Sequence, residues 1–410
     1  MYDKIDKHSM RNIIFVVSIM ILLGGTSAYA ESFPEIGVKV DVIADNLKIP
    51  WGIDFAQDGR IFFTERPGTV NVIEDGQVSQ IMSRGVGGGE GGMLGIALDP
   101  EFEKNHYVYV YYTYNELLGI KNRLVQYVES DNKLNHEKIL LEDIPGAPYH
   151  DGGRIKFGPD EMLYVTTGDA VEPELSQNLN SVAGKILRIK SDGTIPEDNP
   201  FGSAIYSIGH RNPQGIAWDK SGNLIATEHG PSGWRGVAHD EINWIVSGAN
   251  YGWPDVIGDE TLEGATNPIL HSGDDTWAPS GSTFYYGDDM PMFDGKYFVA
   301  ALKGQHIHVI EFDESYNVLF HGELFSGEFG RIRDVANGPD GLYFMTSNQD
   351  GRGNPNLYDD KILRISPLYN YENNSWVQNI SEWYMKGEIS KEESINAHSY
   401  LIERGTISQN

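Results

Sequence analysis

Cysteine is absent from this chain of 410 residues. Disulfide bonds, thiolate metal sites and cysteine nucleophiles are therefore all excluded. Hydrophobic residues still make up 40% of the chain and aromatic residues 11%, which is enough to build a large core. The fold must be held by side-chain packing, by closure of a sheet on itself or by a bound metal ion.

Basic residues are also few: 31 lysines and arginines stand against 59 aspartates and glutamates, which gives a formal net charge of −28. A chain this acidic is not expected to bind nucleic acid, because phosphates require basic surfaces. Most of the acidic residues serve solubility, but the surplus also suits calcium, a cation that prefers oxygen ligands. Any cluster of arginine and lysine on this background needs an explanation.

Long hydrophobic runs are missing after the first thirty residues. At the start of the chain, basic residues at positions 4, 7 and 11 precede an apolar stretch, 13–23, and the small-residue site Ala28-Tyr29-Ala30. The stretch is shorter than the about 20 residues of a membrane span, so the pattern predicts a cleaved signal peptide over 1–30, with a retained anchor as the alternative. Either way the body is exported to a periplasmic, pseudoperiplasmic or extracellular space, and no stable membrane span is expected after cleavage.

One motif recurs along the chain: a short apolar strand, a turn of the Asp-Gly type, and a second strand rich in Tyr, Phe, Val and Thr. About six copies spaced by roughly 40–65 residues predict a six-bladed β-propeller of four-stranded antiparallel blades. An open sandwich would need long crossovers, which this regular succession of strands lacks. A strand over 38–43 is expected to close the ring with the last blade. The copies begin at 52–55, 95–98, 154–157, 215–218 and 282–285, and the last surrounds the turn 339–341.

Beyond Pro367 the pattern changes from strands to helices. Apolar positions at helical spacing predict two short helices, 376–383 and 391–403. We therefore expect a propeller domain over 31–367 and a helical extension over 368–410, which could serve packing or the docking of a partner.

A histidine and an aspartate are placed to meet at one end of the predicted propeller. His150 lies in a glycine-flanked loop before the strand 154–157, and Asp169 follows the next strand. Loops at one end of the central channel converge, and a carboxylate bonded to one imidazole nitrogen leaves the other nitrogen basic near neutral pH. The pair is a candidate for acid–base catalysis. A surface histidine beside a turn-forming aspartate is an equal alternative.

Cationic and amide side chains gather in three further segments. Four cations in an acidic protein suggest a polyanionic small ligand, and the amides with a guanidinium suit a planar molecule carrying carboxylates and carbonyls. Ordinary ion pairs would explain any one of these cations alone. The segments contribute Arg211, Asn212 and Gln214 around a proline turn, Lys303 after a strand of the fifth blade, and Arg331 with Arg333 on one strand face.

Oxygen-bearing groups that suit a cation occur in the fourth repeat. The turn Gly230-Pro231 exposes carbonyls, and Asp240 and Glu241 supply carboxylates close to a second such turn at Tyr251. Oxygen ligands without cysteine fit calcium, although the spacing is not that of the helix–loop–helix calcium site. The glycine run 87–92 lacks the Lys-Ser/Thr ending of a phosphate-binding loop, which argues against nucleotide binding there.

Together these segments resemble the soluble aldose sugar dehydrogenases of the glucose/sorbosone dehydrogenase family, which depend on pyrroloquinoline quinone (PQQ). The resemblance extends from about Leu47 to Pro367. It implies PQQ- and calcium-dependent oxidation of aldoses at C1 to the lactone, with electrons passed to an external quinone or cytochrome. The segments that carry it occur in the order IPWGIDF, GEGGMLGIALDP, HDGGRIKFGPD, GHRNPQG, EHGP, DEIN, NYGWP and RIRDV.

The resemblance also implies a role for each candidate residue. His150 is the general base for the anomeric hydroxyl, with the C1 hydride passing to C5 of PQQ. Asp169 orients His150, and Arg211 stabilises charge on the quinone oxygens. The remaining roles are cofactor binding by Asn212, Gln214, Lys303, Arg331 and Arg333, calcium binding by the carbonyls of Gly230 and Pro231, and a second calcium held by Asp240, Glu241 and the Tyr251 carbonyl.

Three positions depart from the glucose enzymes of the family. Tyr149 stands where those carry an acid, Glu90 where they carry an amide, and His229 where they carry glutamine. Glu90 and Tyr149 are expected to contact the sugar, in a pocket closer to the broad aldose branch. Propellers host many functions, so a calcium-dependent sugar lactonase and a non-catalytic extracellular binding propeller stay as alternatives. We expect a monomer or homodimer.

Overall fold

The computed structural model describes residues 31–33, 37–117, 119–231, 238–368 and 375–404. The predicted signal peptide lies outside these residues. The chain divides into two compact units. The larger unit comprises Ile43–Tyr286 and Gly295–Leu363, and the smaller unit comprises the remaining segments. No helix of the described residues is both long enough and apolar enough to cross a membrane.

The strands form six antiparallel sheets, of which five have four strands in sequence order. Two strands, β1 (Glu31–Phe33) and β2 (Val38–Ala44), precede the first blade. The first blade is β3 (Pro50–Phe55), β4 (Ile61–Glu65), β5 (Thr69–Glu74) and β6 (Gln77–Ser83). The second is β7 (Met93–Leu98), β8 (Tyr107–Glu116), β9 (Gly119–Ser130) and β10 (Lys133–Gly146), with the short helix α1 (Phe102–Asn105) after β7.

The next three blades follow the same plan. The third is β11 (Ile155–Phe157), β12 (Leu163–Thr167), β13 (Lys185–Ile189) and β14 (Ile205–Ile208), with a 3₁₀ helix at Pro173–Gln177. The fourth is β15 (Pro213–Trp218), β16 (Leu224–Glu228), β17 (Glu241–Ile245) and β18 (Leu270–His271). The fifth is β19 (Pro279–Phe284), β20 (Tyr297–Ala301), β21 (His306–Phe312) and β22 (Val318–Leu324).

The sixth sheet joins the two ends of the chain. It contains β23 (Ile332–Gly338), β24 (Gly341–Thr346) and β25 (Ile362–Pro367), and its order is β1-β2-β25-β24-β23. The strand predicted to close the ring is therefore confirmed as β2, which pairs with the last strand. The six-bladed β-propeller is confirmed as well. Its last sheet gains a fifth strand, β1, which the prediction of four-stranded blades did not include.

The first strands of the blades lie at the centre of the propeller. Neighbouring first strands contact each other, as between β3 and β7 or β15 and β19, and β7 and β19 are buried along their whole length. Such close approach requires glycine: a Cβ atom at Gly95 in β7 would lie 2.2 Å from the carbonyl oxygen of Gly153. Outer strands such as β6 are mostly exposed, because only one side of them is covered.

The smaller unit contains both predicted C-terminal helices. They are α2 (Ser375–Met385), slightly longer than predicted, and α3 (Lys391–Glu403), with the predicted bounds. The two helices contact each other, and α2 also contacts a 3₁₀ helix at Pro291–Phe293. Ser390 precedes α3 as the N-cap of a capping box. Its side chain accepts a hydrogen bond from the backbone N–H of Glu393, and the Glu393 carboxylate accepts one from the backbone N–H of Ser390.

Candidate active site

A cavity of about 860 Å³ lies in the larger unit, where loops from all six repeats meet. Asp169 does not line the cavity itself but contacts His150, which does. Glu241 and Tyr251 line a separate small pocket. The propeller therefore collects most of the predicted site in one place. The predicted residues that line the cavity are Glu90, Tyr149, His150, Arg211, Asn212, Gln214, Gly230, Pro231, Asp240, Lys303, Arg331 and Arg333.

His150 and Asp169 form a hydrogen-bonded pair at the cavity wall. Nδ1 of His150 lies 2.7 Å from Oδ1 of Asp169, whose Oδ2 accepts the indole N–H of Trp253 at 2.9 Å. Asp169 is buried, while the His150 side chain is 17% exposed and lines the cavity. Because the carboxylate keeps the proton on Nδ1, Nε2 is the nitrogen left to accept a proton.

The loop that carries His150 and the loop that carries Asp169 approach each other closely at the backbone. A Cβ atom at Gly168 would lie 1.9 Å from the carbonyl oxygen of His150, so no side chain fits before Asp169. His150 itself has a φ of 64°, in the left-handed region that costs a non-glycine residue energy. Conformations of this kind persist where the surrounding structure enforces them, which is common at functional sites.

The cavity is cationic although the chain is strongly acidic. Among the residues that the structure describes, six lysine and arginine side chains line it against four aspartates and glutamates, so these ten groups sum to a formal charge of +2, whereas that of the chain is −28. The four cations selected from the sequence all line this one cavity. The cations are Arg66, Arg211, Lys303, Arg331, Arg333 and Arg352, and the acids are Glu90, Asp151, Asp240 and Asp350.

The guanidinium of Arg333 is buried and incompletely paired. Its Nη1 donates to the side-chain oxygens of Gln214 and Ser280, each at the long distance of 3.3 Å. Its buried Nε has no hydrogen-bond partner among the residues that the structure describes. Burial, together with the like charge of Arg66, lowers the pKa of Arg333 to about 9. A cation in this environment is stabilised by an anion that supplies acceptors and counter-charge.

Arg331 is held in position by Asp350. Its Nε and Nη2 both lie 2.8 Å from Oδ2 of Asp350, and its Nη1 donates to the carbonyl of Leu302 at 3.3 Å. Burial raises the pKa of Asp350, but the charge of Arg331, the hydrogen bonds from Arg331 and Arg352 and the charge of Arg333 together outweigh burial, so the pKa is lowered. Lys303 is exposed at the cavity, and its ammonium has no ion pair within the described ranges. The two cations thus differ: Arg331 is held by an ion pair, and Lys303 is not.

Arg211, Asn212 and Gln214 form a connected wall. The Gln214 amide donates to Oδ1 of Asn212 at 3.1 Å, and that oxygen also accepts the backbone N–H of Gly152 at 3.1 Å. Arg211 donates to the carbonyl of His229 at 3.0 Å. Burial lowers the pKa of Arg211, although Asp169 nearby opposes this effect. The wall presents positioned donors to the cavity beside His150.

Glu90 and Tyr149 meet an arginine that sequence reasoning did not select. Oε1 of Glu90 lies 2.7 Å from Nη1 of Arg352, whose guanidinium carbon lies 6.0 Å from the centre of the Tyr149 ring. Burial raises the pKa of Glu90, but the charges of His229 and Arg352 outweigh it, so the pKa is lowered. This partly exposed group offers both donors and acceptors, as binding of sugar hydroxyls requires.

The first predicted calcium site lies on the cavity wall. Gly230 and Pro231 line the cavity together with Asp240. The carboxylate of Asp240 is occupied by backbone N–H groups: Oδ1 accepts from Gly230 at 2.9 Å, and Oδ2 accepts from Trp277 and Ala278 at 2.8 Å. Asp240 therefore shapes the turn that carries the two carbonyls.

Glu241 and Tyr251 are brought together at the second, small pocket, which Glu228 also lines. Asp240, predicted to share a metal with them, lines the large cavity instead. The Glu241 carboxylate accepts from the Gly258 N–H at 3.1 Å, and burial with the charge of Glu228 nearby raises its pKa to about 8. A half-buried carboxylate close to the buried one of Glu228 is a donor set that suits a divalent cation.

Sequence reasoning did not select several of the lining residues, among them Arg66, Asp350, Arg352 and Trp51. Arg66 precedes a Pro-Gly turn and Arg352 lies between two glycines, and an isolated arginine in such a loop of an acidic chain is the local signal that these two offer. Trp51 lies in the segment IPWGIDF, which carries the family resemblance, but only the structure shows which side chains its ring contacts. Its ring faces the guanidinium carbons of Arg154 at 4.3 Å and Arg333 at 5.6 Å.

The fold and the cavity define a class: a six-bladed propeller whose loops enclose a cationic pocket beside a histidine–aspartate pair. The glucose/sorbosone dehydrogenase family model matches residues 47–363, and the chain belongs to this family. It is an oxidoreductase of the sugar dehydrogenase type.

Three relatives support this placement. Aldose sugar dehydrogenase YliI of Escherichia coli strain K12 is 30% identical over 362 residues, which cover 80% of this chain and 93% of that protein. Quinoprotein glucose dehydrogenase B of Acinetobacter calcoaceticus is 34% identical over 257 residues, which cover 53% and 52%. The structure of the PQQ-bound aldose sugar dehydrogenase of Streptomyces coelicolor aligns with a TM-score of 0.72 at 35% identity, covering 81% of this chain and 98% of that one.

Proposed function

We propose that this chain is an exported, PQQ- and calcium-dependent aldose sugar dehydrogenase. It oxidises the C1 hydroxyl of aldoses to the lactone and passes the electrons to an external quinone or cytochrome. One observation carries the proposal: the His150–Asp169 pair opens into the same cavity as a cluster of incompletely compensated cations. Relatives described as a quinoprotein and as PQQ-bound support the choice of cofactor.

The residues of the cavity fit a planar, triply negative quinone. Lys303, Arg331 and Arg333 would hold its carboxylates, and the unpartnered Nε of Arg333 offers a donor that such a ligand satisfies. Asn212 and Gln214 would bond its polar edge. When bound, PQQ supplies a two-electron acceptor for the hydride from C1 of the sugar.

His150 takes the proton of the anomeric hydroxyl on Nε2 while the C1–H bond breaks. The substrate thereby loses a proton and a hydride, which converts the ring hydroxyl at C1 to the lactone carbonyl. The Asp169 carboxylate, 2.7 Å from Nδ1, offsets the positive charge that develops on the imidazole. Arg211 faces the negative charge that hydride transfer creates, in a buried site where such an interaction is strong.

The sugar lies against Glu90 and Tyr149, which form the accessible part of the cavity. Their contact with Arg352 leaves oxygen and nitrogen atoms that can exchange hydrogen bonds with several hydroxyls.

Calcium would be bound by the carbonyls of Gly230 and Pro231, and a second ion by Glu241 with the Tyr251 carbonyl, while Asp240 shapes the turn between the two sites. Both sets consist of hard oxygen ligands. When bound, the first ion would supply Lewis-acid polarisation. The second would offset the negative charge of the Glu241 carboxylate.

Reconstitution tests the proposal. The full chain is loaded with PQQ and calcium chloride, supplied with an aldose and an artificial electron acceptor, and followed by dye reduction. We expect turnover that requires both additions. His150→Ala should retain PQQ but lose roughly 10²–10⁴-fold in rate, while His136→Ala, at an exposed position, should be unchanged.

Either of two results would refute the proposal. One is the absence of dye reduction with every aldose tested, and the other is full activity of His150→Ala. Hydrolysis of sugar lactones by the cofactor-free calcium form would support the lactonase instead.

A further inference from the structure

The fifth blade carries a second cluster of side chains that can bind a metal. His306 and His308 lie two residues apart on β21, so both point to the same face of the sheet. His321 and Glu323 have the same relationship on the adjacent strand β22. The antiparallel register places His308 directly opposite Glu323. None of the four lines the cavity of the candidate active site.

The ligand atoms of three of these side chains converge. Nε2 of His306 lies 3.0 Å from Nε2 of His308, and Nδ1 of His306 lies 3.5 Å from Oε2 of Glu323. One potential ligand atom from each residue lies within 4.8 Å of the others. Bonds of about 2.0–2.1 Å in a tetrahedral zinc site separate the ligand atoms by roughly 3.3–3.4 Å. The 3.0 Å between the two Nε2 atoms is near this value, and the 4.8 Å limit for the set of three leaves room for one ion.

The two histidines lie inside the blade. Both are buried, and His308 is completely so, so their rings are confined by the surrounding side chains.

Contacts around the cluster hold the rings in place. Nδ1 of His308 lies 2.8 Å from Nε2 of His321, and the Trp277 ring packs against both, with centroids at 4.6 and 5.4 Å. Metal-binding histidines use their second nitrogen for such a hydrogen bond, which fixes the tautomer and the orientation. On the other side, a Cβ atom at Gly304 would lie 2.6 Å from the ring of His306, so the backbone confines that ring as well.

We propose that His306, His308 and Glu323 bind one divalent transition-metal ion of the zinc type, with His321 orienting His308. Two imidazoles and a carboxylate suit zinc, whereas calcium takes about six to eight oxygen ligands. Three protein ligands leave a position for water, and the Glu323 side chain is 46% exposed, so the site is accessible. The ion would join β21 to β22 in the fifth blade. Lys303 lies in the loop just before β21.

Binding of zinc and of cobalt to the full chain tests this site. Calcium chloride is added in excess so that calcium occupies the proposed sites made of oxygen ligands. Calorimetric titration with zinc chloride should show one tight equivalent per chain, and cobalt chloride should give the strong visible absorption of tetrahedral coordination. Glu323→Gln, at an exposed position, should weaken zinc binding at least tenfold and abolish the cobalt band. His321→Ala should weaken it by roughly 10–100-fold, as expected for an orienting partner.

A matched control comes from the second blade. His106 lies 3.8 Å from a carboxylate oxygen of Glu129 but has no second imidazole at that carboxylate in the described structure. His106→Asn should leave zinc stoichiometry and affinity unchanged.

The proposal is overturned if the wild-type chain binds no stoichiometric zinc at micromolar concentration. It is also overturned if Glu323→Gln and a His306→Asn/His308→Asn double variant both bind zinc as tightly as the wild type. Because Glu323→Gln and His321→Ala change exposed side chains, they decide the question even if the buried double variant does not fold.

Discussion

The Oδ1 atom of Asp169 lies 2.7 Å from Nδ1 of His150, across two loops separated by a strand pair of the third blade. This contact determines which imidazole nitrogen faces the cavity as a base. It also places a buried negative charge where a positive charge develops during proton transfer.

Asp169→Asn should reduce the rate of dye reduction at saturating sugar by roughly 10²–10⁴-fold. The amide keeps the size of the carboxylate but removes the charge that stabilises a protonated His150. PQQ affinity, measured by titration, should stay near the wild-type value. Trp253→Phe is the graded control, because it removes the hydrogen bond to Oδ2 but keeps an aromatic ring beside Arg211, and it should cost less. Equal rates for Asp169→Asn and the wild type would remove the carboxylate from the mechanism.

Arg331→Ala and Arg333→Ala should each weaken PQQ binding by roughly 10–100-fold, since hydrogen bonds to charged groups contribute about 1.5–3 kcal/mol. At high salt, PQQ should bind more weakly to the wild type and to both variants, and the difference in affinity between them should be smaller. Arg123→Ala is the control, because this arginine pairs with Glu142 away from the cavity. Unchanged cofactor affinity in both cavity variants would show that the cations serve another ligand.

Arg352→Ala should change sugar binding more than cofactor binding. Its guanidinium links Glu90 to the Tyr149 ring, so its removal frees the carboxylate that we expect to contact the sugar. We predict a change of about tenfold in KM across a panel of aldoses, with PQQ affinity preserved. Lys104→Ala, which breaks an exposed ion pair with Glu101, provides the control. A purely structural role would instead lower thermal stability without altering the ratio of KM values between sugars.

Asp151→Asn should stabilise the protein at neutral pH. Oδ1 of Asp151 accepts from the Asn122 amide at 3.0 Å, but its buried Oδ2 has no partner within the ranges that the structure covers. Burial raises its pKa to about 6. The folded state therefore retains this proton where the unfolded chain, with an ordinary pKa of about 3.9, has lost it.

The sign of the pH effect follows from these two pKa values. Below about pH 4 the carboxyl is protonated in both states, and its burial costs little. As the pH rises to about 6, the wild type loses stability relative to Asp151→Asn by about 1.4 kcal/mol per unit, or about 3 kcal/mol in all. Urea unfolding of both proteins between pH 3.5 and 7 measures this difference. A difference that does not depend on pH would contradict the assignment.

The propeller was predictable because its signals are local. Turns of the Asp-Gly type and alternating strands repeat in each blade, and the bounds of α3 followed from helical spacing and were correct. The closing strand β2 was predictable for the same reason. The fifth strand β1 was not, because three residues pairing with β2 have no periodic pattern of their own.

The site was only partly predictable. Motif residues such as Arg211 and Arg333 stood out because several polar groups occur together in the chain. Arg66 and Arg352 are isolated in sequence and reach the cavity only because the blades close into a ring. Asp240 and Glu241 are neighbours in sequence, yet they line different pockets, since adjacent residues at a strand end point to opposite faces.

By itself, the sequence determined the number of blades, the helical tail, the absence of disulfides and the residues that carry the family resemblance. These features depend on composition and on interactions between residues close together in the chain. Only the tertiary structure decided the net positive charge of the cavity, the bond between His150 and Asp169, and the approach of His306 and His308 to Glu323. These depend on burial and on strand register, which bring together groups that no local pattern connects.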